Sequence, residues 1–192
     1  VRAEREDDEI PVGAVLIDAD GHIVGEGWNR NIGDHDPTAH AEIVAMRMAG
    51  RMLGNHRLIG CTIYVTLEPC AMCAMALMHA RIGRIVFAAA DPKPGAVGSV
   101  LNLFDNPKLN HHTHVQGGLL ADAAGSMLRD FFVERRAAIK AARDASPNAE
   151  LLPVPEPTDD EHRLVSELRE TLENINQKNV EEYFHDAIDF RD

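Results

Sequence analysis

CTIYVTLEPCAMCAMALMHARIGRIVFAA, residues 61–89, decides the fold. The run Cys61–Leu67 is rich in β-branched and aromatic residues and reads as a strand, and Arg84–Ala89 reads as another. Between them Pro69 suits the first position of a helix reaching to about His79, because its missing N–H is one that a helix start leaves unpaired. Strand, helix and strand joined by short links predict parallel neighbours in a sheet with the helix on one face. Cys70 and Cys73 then sit in the opening turns of that helix, three apart and on the same side.

Working upstream, a helical pattern covers about Thr38 to Met48. Before it, two short apolar runs, Val12–Ile17 and His22–Trp28, flank Asp20-Gly21, a dipeptide that favours the tight turn of an antiparallel hairpin. Downstream, Asp91-Pro-Lys-Pro-Gly95 is a loop by its turn residues, His111–Val115 reads as a short edge strand, and Leu119–Ala145 as a long terminal helix. The prediction is therefore a mixed α/β sheet of five strands, partly parallel, with helices on both faces.

Composition supports one main globular domain: 192 residues, 45% of them hydrophobic, suffice for one sizeable core. Past Ser146 the character changes. Residues 147–158 hold Pro147, Pro153, Pro155 and Pro157 and read as a semi-rigid linker. Residues 159–192 read as an acidic helical tail, in which Thr158-Asp-Asp-Glu161 resembles a capping box and Leu164, Leu168, Leu172 and Ile175 share one side. The formal net charge of −12 is concentrated there. Residues 1–146 hold 15 Lys and Arg against 18 Asp and Glu, a net of −3, and residues 147–192 hold 4 against 13, a net of −9. The first part, nearly balanced, keeps a basic cluster on its terminal helix at Arg129, Arg135, Arg136, Lys140 and Arg143, which offers either a local nucleic-acid contact or an ordinary solvated surface.

No run approaches the roughly 18 apolar residues of a spanning helix, and the acidic opening lacks the order of a signal peptide, so a cytoplasmic protein without a membrane partner is expected. Three cysteines cannot build a disulfide framework. Cys61 reads as an inert buried thiol, whereas Cys70 and Cys73 form a C-x-x-C that in a reducing compartment means metal or redox chemistry. Taken alone, that pair is more often structural zinc or a redox couple.

Its meaning changes beside His40-Ala-Glu42. His40, Cys70 and Cys73 supply three zinc ligands, and no second C-x-x-C or histidine pair lies at a spacing that would close the fourth position. Structural zinc sites are closed, whereas catalytic ones keep three protein ligands and leave a place for water. Zinc so held brings the pKa of its water down to about 7. Glu42, a carboxylate beside the ion and not a ligand, is then the proton shuttle: it can take the water's proton, deliver it to a ring nitrogen and protonate a leaving amine. Thiolates at a helix start also meet its positive end, which favours the deprotonated form that metals need. The histidines His111, His112 and His114 form a less convincing trio.

The H-x-E…P-C-x-x-C pattern is that of the zinc-dependent nucleobase deaminases. The chain goes further and resembles the bacterial tRNA-specific adenosine deaminases, relatives of cytidine deaminase, from about Glu9 to Lys140. The likeness is carried by Ile10-Pro-Val-Gly-Ala-Val15, Gly25-Glu-Gly-Trp-Asn-Arg30, His35-Asp-Pro-Thr-Ala-His-Ala-Glu42, Tyr64-Val-Thr-Leu-Glu-Pro-Cys70, Asp91-Pro-Lys93, Asn110-His111 and Asp130-Phe-Phe132. It implies a three-layer α/β/α sandwich, one zinc ion per subunit, a homodimer, and conversion of the wobble adenosine of a tRNA anticodon stem-loop to inosine. By the family pattern His40, Cys70 and Cys73 are the ligands and Glu42 the catalytic residue. Asn29 would read the inserted base, with Ala41 and Pro69 beside it, and Asp91 and Lys93 would touch the ribose-phosphate backbone. Arg135 and Arg136 would be further RNA contacts. Set against that family, the N-terminal helix is expected to be largely absent from the deaminase domain, residues 1–146. A deaminase of free guanine or of a pyrimidine nucleotide shares the zinc core without needing the Asp91 loop or the Arg135-Arg136 pair. An inactive RNA-binding scaffold would not need Glu42.

Overall fold

A computed structural model describes Ala3, residues 8–145 and, from the tail, Thr158, Arg163, Ser166 and Glu167. The chain divides into two units, Val1–Ala145 and Ser146–Asp192. In the first, the elements follow as β1 (Gly13–Ile17), β2 (Ile23–Trp28), α1 (Ala41–Leu53), β3 (Thr62–Leu67), α2 (Ala71–His79), β4 (Arg84–Ala89), β5 (His114–Gly117) and α3 (Ala121–Ala145). They form a five-stranded sheet in the order β2-β1-β3-β4-β5. β1 is antiparallel to β2 and to β3, while β3, β4 and β5 run parallel, so the sheet is mixed.

The hairpin turn forms where Asp20-Gly21 predicts it. Asp18 Oδ1 accepts the N–H groups of Asp20 and His22 at 3.0 and 2.9 Å, and Gly21 supplies the positive φ of 87°. The edge strand lies a few residues later than His111–Val115, because His111 Nε2 and Thr113 Oγ1 are taken up by the Ile82 carbonyl and ladder pairing begins only at His114.

Register and the period of two put Ala14, Leu16, Gly25, Gly27, Ile63, Val65, Ile85 and Phe87 on one face. Helix α1 packs there against β1 and β2 through a stripe of small residues, Ala41, Ala45 and Ala49, all fully buried. The strand answers with glycine: a Cβ on Gly27 would lie 2.3 Å from the Ala41 carbonyl oxygen and 2.5 Å from the Ala45 nitrogen. Backbone therefore meets backbone, and α1 is seated closer than any side chain would allow. Ala74, Leu77 and Met78 of α2 join the same core.

The other face carries α3, which packs on β4 and β3 with Ala124, Leu128 and Phe131 turned inward. Three layers result. A cavity of about 580 Å³ remains on this side, lined by Trp28, Tyr64, Val86 and Leu120 among others, and none of His40, Glu42, Cys70 or Cys73 borders it. Among the described residues no helix is long and apolar enough to cross a membrane.

Most of the segment on which the family's N-terminal helix was expected to be missing, and most of the linker and tail, lies outside the described residues; Ala3, Arg163, Ser166 and Glu167 are helical. Arg163 Nε and Glu167 Oε1 stand 3.7 Å apart in an exposed i,i+4 pair.

Candidate active site

Helices α1 and α2 bring their starts together. Neither begins where proline or aspartate would open it: α1 starts at Ala41 and α2 at Ala71, later than the expected Thr38 and Pro69. The residues before them, His40 (φ −70°, ψ 156°) and Cys70 (φ −71°, ψ 172°), are extended N-caps, and neither side chain caps its own helix. Instead the two side chains meet. His40 Nδ1 lies 3.7 Å from Cys70 Sγ and 3.5 Å from Cys73 Sγ.

Those separations fit a metal. Zinc bonds of about 2.3 Å to sulfur and about 2.0–2.1 Å to imidazole, arranged tetrahedrally, require sulfur and nitrogen to stand roughly 3.6 Å apart. The three ligand atoms lie within 4.8 Å of one another, with Cys73 fully buried and the other two half-buried. The only other such group among the described residues is Asp18, Asp20 and His22, mostly exposed and explained by the hairpin turn.

The electrostatics suit the donor set. Cys70 is pulled down to about 4, first by its hydrogen bond with Cys73 and then by His40, so it is a thiolate ready to ligate. The same bond pushes the Cys73 thiol up, and the Cys70 sulfur raises the pKa of His40. Glu42, in the first turn of α1 and 4% exposed, is pushed up to about 6 by burial. The neighbouring Cys73 thiol works weakly against that rise. A carboxyl with that pKa, beside the candidate ligands, can hold or release a proton near neutrality.

The remaining predicted residues are not all equally placed. Asn29, directly after β2 and 7% exposed, donates nothing to α1 but accepts the Ala41 N–H through Oδ1 at 3.0 Å, which satisfies a helix-start group that nothing inside the helix can pair. It thereby ties β2 to the His40 end of α1. Pro69 is fully buried, and its carbonyl accepts the Ala96 N–H at 3.0 Å. Asp91 and Lys93 stand in the loop after β4, where Asp91 Oδ1 accepts the Lys93 N–H at 3.0 Å. That loop runs beside the ligands, since Gly95 forms a β-bridge with Cys70.

On α3 the basic cluster separates. Arg129, Arg136, Lys140 and Arg143 recur at helical spacing on one exposed side, while Arg135 turns away, bonding the Asp8 carbonyl at 2.7 Å and stacking over Phe131 at 5.6 Å. Cys61 is buried just before β3, as expected. His111, committed to the Ile82 carbonyl, does not gather with its neighbours into a metal group.

Two buried carboxylates were not singled out from sequence. Glu9 holds the Ile32 and Gly33 N–H groups at 2.5 and 3.2 Å. Glu68 is 3% exposed and accepts the N–H groups of Asp91, Val97 and Ser99. Burial works to raise its pKa, but hydrogen bonds from Ser99, Asp91 and Val97 outweigh it and hold the carboxyl below its ordinary range. The one signal in the sequence is a charged residue following an apolar strand and preceding Pro69-Cys70.

Comparison with known proteins agrees with this centre. The zinc-binding region of the cytidine and deoxycytidylate deaminases matches residues 1–89, and the arginine decarboxylase helical bundle domain matches residues 158–192. The chain is 53% identical over 128 residues to a tRNA-specific adenosine deaminase of Haemophilus influenzae, covering 67% of this chain and 74% of that one. It is similar to a solved structure from a study of A-to-I editing by tRNA:A34 deaminases at the wobble position, with 45% identity and a TM-score of 0.62 over 66% of this chain and 91% of that one. A guanine deaminase from Nitrosomonas europaea is more distant, with 27% identity and a TM-score of 0.52 over 62% of this chain and 71% of the other. With this fold, a His-Cys-Cys group able to hold zinc and relatives of such identity, the chain belongs to the tRNA-specific adenosine deaminases, zinc-dependent hydrolases of the cytidine deaminase-like fold.

Proposed function

We propose that this chain deaminates adenosine to inosine at the wobble position of a tRNA anticodon. The observation that carries the reading is the meeting of His40, Cys70 and Cys73 beside the buried, proton-poised Glu42, in a chain 53% identical to a tRNA-specific adenosine deaminase. His40, Cys70 and Cys73 would hold the zinc, which when bound supplies the Lewis acidity that brings water's pKa near about 7. Glu42 does the proton work. It takes a proton from water as the oxygen adds to C6 of the purine and delivers it to the ring nitrogen, then carries the remaining proton of the C6 hydroxyl to the amine as the C6–N bond breaks and C6=O forms, so that water and adenosine become inosine and ammonia.

An unpaired anticodon loop suits this arrangement. A base held in a stack offers no access to its C6, whereas a splayed base can enter a pocket. Asn29, Ala41 and Pro69 would bound that pocket, Asp91 and Lys93 would meet the flanking backbone, and Arg136 would contribute a more distant contact, whereas Arg135 is taken up by Asp8. We assign the activity to residues 1–146, take 147–158 as a spacer and 159–192 as an appended acidic helical tail. A cytoplasmic setting keeps the two thiols reduced. A homodimer would cover Met52 and Leu53, which are 63% and 43% exposed on α1.

The test is to incubate the zinc-loaded chain with an anticodon stem-loop carrying adenosine at the wobble position, and separately with free guanine and cytidine. Inosine in the stem-loop alone is the expected result. Turnover of a free base without turnover of the RNA overturns the reading in favour of the guanine deaminase relatives.

A further inference from the structure

The Glu68 carboxylate is buried, and both of its oxygens are engaged. Its Oε1 accepts the Val97 and Ser99 N–H groups, both at 3.0 Å, and its Oε2 accepts the Asp91 N–H at 3.0 Å and the Ser99 hydroxyl. A carboxylate has about four acceptor sites, so all are used. All three partners belong to one loop, residues 91–99, and lie 23 to 31 positions away in sequence.

The loop folds around this anchor. Gly95 has no room for a side chain: a Cβ there would lie 2.4 Å from the Asp91 carbonyl oxygen and 2.6 Å from Glu68 Oε2. Its carbonyl accepts the N–H groups of Val100 and Leu101 at 3.1 Å. On the opposite side, Ala96 N–H reaches the Pro69 carbonyl at 3.0 Å and Gly95 bridges to Cys70. Glu68 thus stands one residue before Pro69, and two before a candidate metal ligand, while gripping the loop that carries Asp91 and Lys93.

We propose that Glu68 is a positioning residue: it fixes the 91–99 loop against the Pro69–Cys70 segment so that RNA meets Asp91 and Lys93 in one conformation, registered to the metal centre. This rests on the tRNA reading above. Glutamine at this position keeps the shape but replaces one acceptor oxygen with an NH₂ donor, which confronts the donors of the loop.

The test uses the full zinc-loaded chain with Glu68→Gln, and Ser99→Ala as a milder partner that removes the side-chain bond alone. Amide hydrogen exchange at Asp91, Val97 and Ser99 should quicken by about tenfold or more in Glu68→Gln, confined to the loop, with zinc content unchanged. KM for the anticodon stem-loop should rise about tenfold, with kcat within a factor of about three. Ser99→Ala should move both readouts the same way by less, and it carries the test if Glu68→Gln does not fold. Unchanged exchange overturns the proposal, and so does a loosened loop with unchanged KM, which would make Glu68 merely structural. If the unsubstituted chain leaves RNA unaltered, the tRNA reading and the RNA-positioning role fall together, and the exchange rates still show separately whether Glu68 holds the loop.

Discussion

The two faces of the sheet are built to different tolerances. Under α1 the strand side chains of Ala14, Leu16, Ile63, Val65, Ile85 and Phe87 are at most 8% exposed, and glycine on the strand receives alanine on the helix so that backbones touch. On the other face Val86 and Ala88 of β4, which α3 covers, are buried, but Gly13, Val15 and Ile17 of β1 and Thr62, Tyr64 and Thr66 of β3 are only half-buried, and a cavity of about 580 Å³ is left. The candidate chemistry lies wholly on the first side. His40 and Glu42 are delivered by a helix whose position is set by the contact of Gly27 with Ala41 and Ala45, and displacement of that helix would move both against Cys70 and Cys73. A site that needs ligand atoms placed within tenths of an ångström belongs where packing leaves no freedom.

The comparison can be broken in three places. The largest effect is expected from Glu42→Gln, which removes the proton carrier and leaves the ligands: turnover should fall by about 10²- to 10⁴-fold, with zinc content unchanged by metal analysis. Retained turnover would detach the packed face from the chemistry. Next, Gly27→Ala should cost about 1–3 kcal/mol in urea unfolding and should lower activity as well, because the added methyl meets backbone that cannot turn aside. A neutral outcome would show that α1 is free to shift. The smallest effect belongs to the open face. Leu120 is 73% exposed and holds a left-handed φ of 59° ahead of α3, so Leu120→Asn should stabilise the fold by about 1 kcal/mol and leave deamination untouched. A loss of activity there would mean that the open face reaches the site.

Much of this was legible in the residues. The strand-helix-strand unit, the Asp20-Gly21 hairpin and the three candidate ligands follow from local pattern, since periodicity, turn chemistry and ligand spacing are written within a few residues of each other. The exact helix starts were not. Pro69 invites a helix at itself, yet the extended backbone of Cys70 delays α2 to Ala71, because the cysteine's side chain is drawn toward His40 from another helix. Arg135 looked equivalent to Arg136 until Asp8, 127 positions away, claimed it.

By itself, then, the sequence determined which groups the protein owns: three soft metal donors, one nearby carboxylate, and the alternating elements that carry them. Only the tertiary structure decided how they are held. The Asn29 amide serving the start of α1, the glycine-alanine contact beneath it and the Glu68 grip on the 91–99 loop all join residues far apart in the chain. Such pairings carry no local signature, because the close packing and the burial of hydrogen-bonded polar groups that favour them arise only once the sheet has formed.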